Sequence, residues 1–384
     1  MKIIIATPIY PPEIGGPATY VKELCARFVN DNDVTVIAYT NSSDRVDVFP
    51  GTRLVPVGKG RPLPVRLTLF FIKLLQTTLR NKPDLIYVQN AMAAGLPVAI
   101  VHLITGIPFI LKFVGDEAWE RATQHGLTTK LLEEFMMNPD AGLKIRTMMW
   151  VQGFVLRRAT TVTTPSAYLG EALIRTYGVK KKNVVVNYNA AEQGEIIPFP
   201  PTFIAHQIAT TARLVSWKGI DGIIRALAIV KNKFPDTSLV VAGDGPELNN
   251  LIAVAQKYMV VDSVKFLGSI SRAETWQLRK SSQVYVLNST YEGLPHTILT
   301  SFAAEIPIIA TNIPGTNEAV YHEKTGLLVE AGNDQELADA IERLFTNKKL
   351  AEELVSNGSN LLKKKFSWEA HIKTLLDVFE SVLA

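Results

Sequence analysis

Arg213 and Lys218 stand five residues apart in Thr211-Ala212-Arg213-Leu214-Val215-Ser216-Trp217-Lys218-Gly219. An arginine fork holds phosphate oxygens in pairs and a lysine adds a mobile point charge, so the two together suit a diphosphate that gains charge as it leaves. Two solvated surface cations would show the same spacing. Further along, Tyr291-Glu292-Gly293-Leu294-Pro295-His296 offers a carboxylate able to accept hydrogen bonds from sugar hydroxyls, then a glycine that opens backbone N–H groups. A surface Glu in a turn reads the same way in isolation. Val240-Val241-Ala242-Gly243-Asp244-Gly245-Pro246-Glu247 reads as strand, turn and helix, with Asp244 or Gly245 as the cap and Pro246 in the first turn. Its glycines are structural first and pocket-lining second. Near the start, Gly15-Gly16 precedes a helix beginning near Pro17, where backbone N–H groups favour an anion. The spacing is not Gly-x-Gly-x-x-Gly, and a tight turn explains the pair equally well.

These segments need elements to hold them. Short apolar runs alternate with amphipathic stretches, the pattern of βαβ units around a parallel sheet. Strands are expected at Lys2–Ala6, Val34–Ala38, Leu85–Val88, Phe109–Phe113, Thr161–Thr164 and Lys182–Asn187, with helices at Pro17–Asn30, Leu67–Arg80 and Lys144–Arg157. Around 190–201 the pattern breaks, and Pro198, Pro200 and Pro201 mark a linker. It restarts with strands at Gln207–Thr211, Ser238–Ala242, Val264–Leu267, Gln283–Leu287 and Ile308–Thr311, and a last helix, Trp368 to Leu383, follows Ser367 as N-cap. The expected organisation is α/β: two doubly wound, Rossmann-like domains, 1–192 and 202–367. Sheets of this kind take ligands outside the carboxyl ends of their strands.

Composition narrows the partners. Across 384 residues the net charge is +4, too small to suggest nucleic acid, but residues 1–200 carry 22 Lys+Arg against 16 Asp+Glu. The single cysteine, Cys25, cannot form an internal disulfide and reads as a buried thiol, which fits a reducing, cytoplasmic setting. No close His/Cys/Asp/Glu cluster points to a metal. No secretory signal is evident, and no apolar run reaches the roughly 18–20 residues that span a bilayer. Within 66–80, Leu67, Phe70, Phe71, Leu74 and Leu75 share a face opposite Arg66, Lys73, Gln76 and Arg80. Ordinary packing on the sheet explains that stripe, and peripheral contact with an anionic membrane is the alternative.

Taken in order, the segments resemble the retaining glycosyltransferases of family 4, which have the GT-B fold. The matching pieces are Gly15-Gly16, Asn189-Ala190-Ala191, Arg213 with Lys218-Gly219, Gly243-Asp244-Gly245-Pro246-Glu247 and Phe266-Leu267-Gly268, then Glu292-Gly293-Leu294-Pro295, Pro314-Gly315 with Glu318, and Thr325-Gly326-Leu327-Leu328-Val329. The resemblance implies a nucleotide-diphosphate sugar held by the second domain and a glycan or lipid-linked acceptor on the first, which the helix 368–384 would cross back to join, with no cofactor or metal. By position, Gly16, Arg213 and Lys218 would contact the diphosphate. Glu292, Gly293, Leu294 and Pro295 would hold the sugar, and Gly243 and the loop of Gly268 would line the nucleotide site.

Two departures stand out. Family members carry a second Glu eight positions after the first, which holds the ribose hydroxyls; here that position is Thr300. Many relatives also have a His in the loop that here reads Lys112-Phe113-Val114-Gly115-Asp116-Glu117-Ala118-Trp119-Glu120. Asp116 is the nearest residue to take over a sugar or acceptor contact, and capping the following helix explains it equally. Trp119 fits the core better than a sugar-stacking site. The reading is a cytoplasmic retaining transferase building a cell-surface polysaccharide or glycolipid, with peripheral action at the inner face of the cell membrane as a further hypothesis. The alternatives are a sugar-nucleotide epimerase of the same architecture and a non-catalytic nucleotide-sugar-binding or scaffold protein.

Overall fold

The structure, a computed structural model, describes residues 1–11, 16–40, 49–191 and 202–384. Gly15 and the prolines of the expected linker lie outside these. The chain divides into two compact units. The first comprises Met1–Pro165, Leu169–Asn187 and Thr374–Ala384, and the second Ser166–Tyr168 and Tyr188–Lys373.

In the first unit the strands are β1 (Lys2–Thr7), β2 (Asp33–Tyr39), β3 (Arg53–Val57), β4 (Leu85–Val88), β5 (Phe109–Lys112), β6 (Thr161–Thr164) and β7 (Val184–Val186). They form one sheet in the order β3-β2-β1-β4-β5-β6-β7, every pair parallel. The central runs are apolar rather than alternating because both faces are covered: Ile3, Ile4, Ile5 and Ala6 are all buried. The second unit repeats the plan with β8 (Gln207–Thr211), β9 (Ser238–Ala242), β10 (Val264–Phe266), β11 (Val284–Leu287), β12 (Ile308–Thr311) and β13 (Leu327–Val329), ordered β10-β9-β8-β11-β12-β13 and again all parallel. In both sheets the order reverses beside the first strand, β1 or β8. That switch point is where such sheets open a crevice at the strands' carboxyl ends.

The helix Leu63–Asn81, which contains the amphipathic stretch 66–80, is turned inward. Phe70, Leu74 and Thr78 are buried, Lys73 donates to the Pro56 carbonyl, and the Arg66 guanidinium lies 5.8 Å from the Tyr39 ring centroid. Its stripe therefore packs on the sheet, the first of the two expectations, and two of the cations expected on the outer face are tied to β2 and β3. Among the described residues no helix is long and apolar enough to cross a membrane. Cys25 is buried, and burial pushes its thiol up to about 11, so it sits as a neutral core side chain. At the other end of the chain Ser367 accepts from Ala370 N at 3.2 Å, the expected cap of the helix Trp368–Leu383.

Candidate active site

The second unit assembles most of the residues singled out above, at the carboxyl ends of β8, β9, β10 and β11. β8 ends at Thr211, and the segment after it is clamped on both sides of Arg213: Ala212 N donates to Ala242 O and Leu214 N to Asp244 O, each at 3.0 Å. Gly243 explains how the two loops come so close. Its φ is +137°, and a Cβ there would stand 1.8 Å from the Ala212 carbonyl oxygen, so only glycine fits. Gly243 N in turn donates to Gly268 O at 2.8 Å, which draws in the loop after β10. The expected cap in this turn is displaced. The helix begins at Leu248, and Asp244 instead accepts from Gly245 N at 2.7 Å. The turn is two residues longer than expected because the loop bends back, with Glu247 N donating to Leu214 O.

With its backbone held, the Arg213 side chain is exposed and forms no ion pair or side-chain hydrogen bond among the described residues. Lys218 differs. It closes a short 3₁₀ turn, Ser216–Lys218, and its Nζ lies 2.6 Å from Glu292 Oε1. Ser289 Oγ donates to the same oxygen at 2.7 Å, and Glu292 is only 9% exposed. Oε1 thus takes two donors and Oε2 takes none among the described residues, which leaves one carboxylate oxygen to accept from a hydroxyl. The loop that carries Glu292 is pinned from below. Gly315, at φ +83°, packs so tightly that a Cβ would come within 2.2 Å of Glu292 O and 2.7 Å of Gly293 O. Leu294 enters the core at 5% exposure, and Pro295 is the N-cap residue of the helix His296–Ala303.

Thr300 lies on that helix. Its hydroxyl donates back to its own helix, to the carbonyls of Thr297 at 3.0 Å and His296 at 3.2 Å, so it retains only acceptor capacity. Beneath the same loops is a residue that sequence reasoning passed over. Arg279 is 4% exposed and pairs with no carboxylate among the described residues. Its guanidinium donates to Thr211 Oγ1 at 2.7 Å and Ser301 Oγ at 3.1 Å, and lies 5.1 Å from the Tyr285 ring centroid. An interior cation bonded to Thr211, two residues before Arg213, adds positive potential to the site. No motif pointed to it, because Arg279 sits at an ordinary position in an amphipathic helix.

In the first unit, Gly16 opens the helix Gly16–Phe28 and is exposed. The two readings of Asp116 are resolved by its surroundings. It is fully buried and caps the helix Glu117–Gln124, Oδ1 accepting from Trp119 N at 2.8 Å. Oδ2 accepts from Gln152 Nε2 at 2.7 Å and from the Tyr177 hydroxyl. Burial raises its pKa, against the pull of these donors. Both oxygens are committed inside the unit, so the expected sugar contact gives way to capping. Trp119 is likewise core, at 1% exposure. The residue beside it has more chemical latitude: Glu117 accepts from Asn90 Nδ2 at 2.5 Å, and burial, then the charge of Glu120, push its carboxyl up to about 7.

Comparison with known proteins places this architecture. The family model described as Glycosyl transferase 4-like domain matches residues 15–190, and that described as Glycosyl transferases group 1 matches 205–361. The chain is a GT-B glycosyltransferase of the family 4 type. A lipopolysaccharide core biosynthesis glycosyltransferase of Rhizobium meliloti is 31% identical over 56% of this chain and 62% of its own length. An uncharacterised glycosyltransferase of Methanocaldococcus jannaschii is 25% identical over 99% and 98%. The chain spans less than two thirds of the Rhizobium relative. Among solved structures, sucrose-phosphate synthase from Thermosynechococcus elongatus superposes with a TM-score of 0.80 at 19% identity, covering 100% of this chain and 99% of that one. Anabaena HepE in complex with UDP and glucose gives 0.77 at 20%, covering 99% and 100%. These two similarities speak to the fold of this glycosyltransferase.

Proposed function

We propose that the enzyme moves a hexose-type unit, with retention of configuration, from a nucleotide-diphosphate sugar to a hydroxyl of a glycan or lipid-linked glycan, in the synthesis of a cell-surface polysaccharide or glycolipid. The observation that carries this is Arg213. A fixed backbone presents an exposed guanidinium, without an ion-pair partner among the described residues, on the same loop as Lys218 of the Lys218–Glu292 pair, an arrangement suited to gripping a diphosphate next to a sugar. In the reaction the bond from the anomeric carbon to the phosphate oxygen breaks and the acceptor oxygen bonds to the same face. The acceptor's proton passes to the departing phosphate. Arg213 and Lys218 stabilise the charge gathering on that phosphate, Glu292 Oε2 accepts from a sugar hydroxyl, and no side-chain nucleophile, cofactor or metal is needed.

A lipid-linked acceptor at the cytoplasmic membrane face is supported by the helix Leu143–Arg158 rather than by 66–80. Leu143 is 82% and Trp150 66% exposed, and together with Thr147 and Phe154 they form one stripe at helical spacing. Trp150 stacks on Phe154 at 5.9 Å, and Arg158 lies 3.7 Å from the Phe154 centroid. Aromatic groups flanked by cations suit the headgroup layer. Sedimentation with anionic liposomes at low salt should carry the protein down, and Leu143→Ser/Trp150→Ser should abolish it.

The donor site is tested by calorimetric titration with uridine, guanosine, adenosine and thymidine diphosphate sugars. UDP-sugars come first because HepE was crystallised with UDP-glucose, and GDP-mannose next because a mycobacterial relative is named as GDP-mannose-dependent. Binding of one base class, lost in Arg213→Ala, is expected. Silence across the panel would overturn the transferase reading in favour of a non-catalytic protein.

A further inference from the structure

The central strands of the first sheet end in a row of polar side chains that, among the described residues, face only the Tyr87 hydroxyl and the Tyr20 ring. Register aligns Val88 with Leu111 and Lys112 with Thr163, so Gln89, Lys112 and Thr163 stand abreast across β4, β5 and β6. Side chains abreast in a parallel sheet share a face. Tyr87, two residues before Gln89, lies on that face, its hydroxyl 3.0 Å from that of Tyr20 and its ring edge-on to Phe379 at 5.5 Å. All three members of the row are buried: Gln89 and Lys112 are 6% exposed and Thr163 1%.

Buried polar groups in native proteins are almost always paired. Here Gln89 Nε2 and Thr163 Oγ1 have no well-formed hydrogen bond among the described residues and face only the Tyr87 hydroxyl, and the side-chain atoms of Asn187, just past β7, have no partner there either. Lys112 Nζ lies 3.5 Å from the Tyr20 ring centroid and makes no ion pair or hydrogen bond among the described residues. A methionine would fill that space without the cost of desolvating an ammonium, a cost large enough that burial pushes the Lys112 pKa down to about 7. Ammonium, amide and hydroxyl are all donors. What satisfies them together is an anionic oxygen. They gather at the carboxyl ends of their strands, where such sheets take ligands.

We infer that Lys112, Gln89 and Thr163 form an anion subsite in the first unit that takes a carboxylate or phosphate carried by the acceptor. This rests on the proposal that the first unit is the acceptor side. Two sources share that chemistry, an acidic sugar and a lipid-linked phosphate.

The test titrates the full-length protein, by calorimetry at pH 6.5, with glucuronate, with sn-glycerol 3-phosphate, and with glucose as the neutral control. Either anion should bind at least tenfold more tightly than glucose. Glucuronate alone points to an acidic sugar, and glycerol phosphate, alone or with glucuronate, to a phosphate-bearing acceptor. Lys112→Met should weaken the binding at least tenfold, and Gln89→Leu and Thr163→Val, which keep the lysine, severalfold each should Lys112→Met fail to fold. Arg213→Ala should leave it unchanged. The inference is overturned if the anions bind no better than glucose, if the Lys112, Gln89 and Thr163 variants bind like wild type, or if Arg213→Ala removes the binding, which would place the anion in the donor site. Nucleotide-sugar binding measured on the same protein separates this failure from failure of the donor-site proposal.

Discussion

Lys218→Met and Arg213→Ala remove one cation each from the same loop, yet the structure separates their effects on stability. Lys218 is 20% exposed and its partner Glu292 11%, so methionine leaves a largely buried carboxylate with only the Ser289 hydroxyl. Losing one partner of a fully buried pair costs about 3–5 kcal/mol and of an exposed pair below about 1. For this intermediate site we expect about 2 kcal/mol, or roughly 4–8 °C in the melting temperature of a unit this size. Among the described residues Arg213 has no ion-pair partner to strand, so Arg213→Ala should stay within about 0.5 kcal/mol of wild type. In Lys218→Met/Glu292→Gln the uncompensated charge is gone, and about 1 kcal/mol should return. Thermal melts of the four proteins measure this, and donor titrations should show Arg213→Ala and Lys218→Met both weakened at least tenfold. Equal destabilisation by the two single variants, or a double variant no more stable than Lys218→Met, would refute the reasoning.

Other outcomes follow from the same geometry. Gly315→Ala puts a Cβ against the Glu292 carbonyl, and should weaken donor-sugar binding while a melt shows a loss of about 1–3 kcal/mol. Thr300→Glu restores a two-oxygen acceptor and should tighten nucleotide-sugar binding about tenfold by calorimetry, if ribose lies against this helix. Glu117 holds its proton more tightly folded, near pH 7, than unfolded, near 4.5, so stability should fall as pH rises through that window by at most about 3 kcal/mol, and Glu117→Gln should flatten the slope. Lys112 acts in the opposite direction. Its folded pKa of about 7 lies below the unfolded 10.5, so its penalty is complete below pH 7 and is relieved as pH rises toward 10.5, a rise that Lys112→Met should abolish.

Much of the fold was legible because central parallel strands leave an unmixed apolar signature. The expected Leu85–Val88, Thr161–Thr164, Gln207–Thr211, Ser238–Ala242 and Ile308–Thr311 coincide with β4, β6, β8, β9 and β12. The strands that escaped are at the edges. β3 contains Pro56, which a reading for central strands rejects and an edge tolerates, and β13 has three residues. In the candidate site, Arg213, Lys218 and Glu292 stood out in the sequence by residue type and spacing. Their pairing did not, since Lys218 and Glu292 are 74 residues apart and meet through loop packing. Asp116 showed the limit from the other side. An N-cap and a ligand-binding carboxylate look alike in sequence, and burial by Gln152 and Tyr177 decides between them. Lys112 and Arg279 gave no signal, because a buried cation is defined by what surrounds it.

The stitching of Ala212, Leu214 and Gly243 has a consequence for hydrogen exchange and for binding entropy. The Ala212 amide is held by the last carbonyl of β9, and those of Leu214 and Gly243 by carbonyls of neighbouring loops. One cannot open without releasing the next, so they should exchange with solvent as one slow block while the Arg213 guanidinium above them samples rotamers freely. A donor that docks there has no main chain to freeze. It orders one long side chain, at about 2 kcal/mol or less, and the rest of its contact energy is left to distinguish one nucleotide from another.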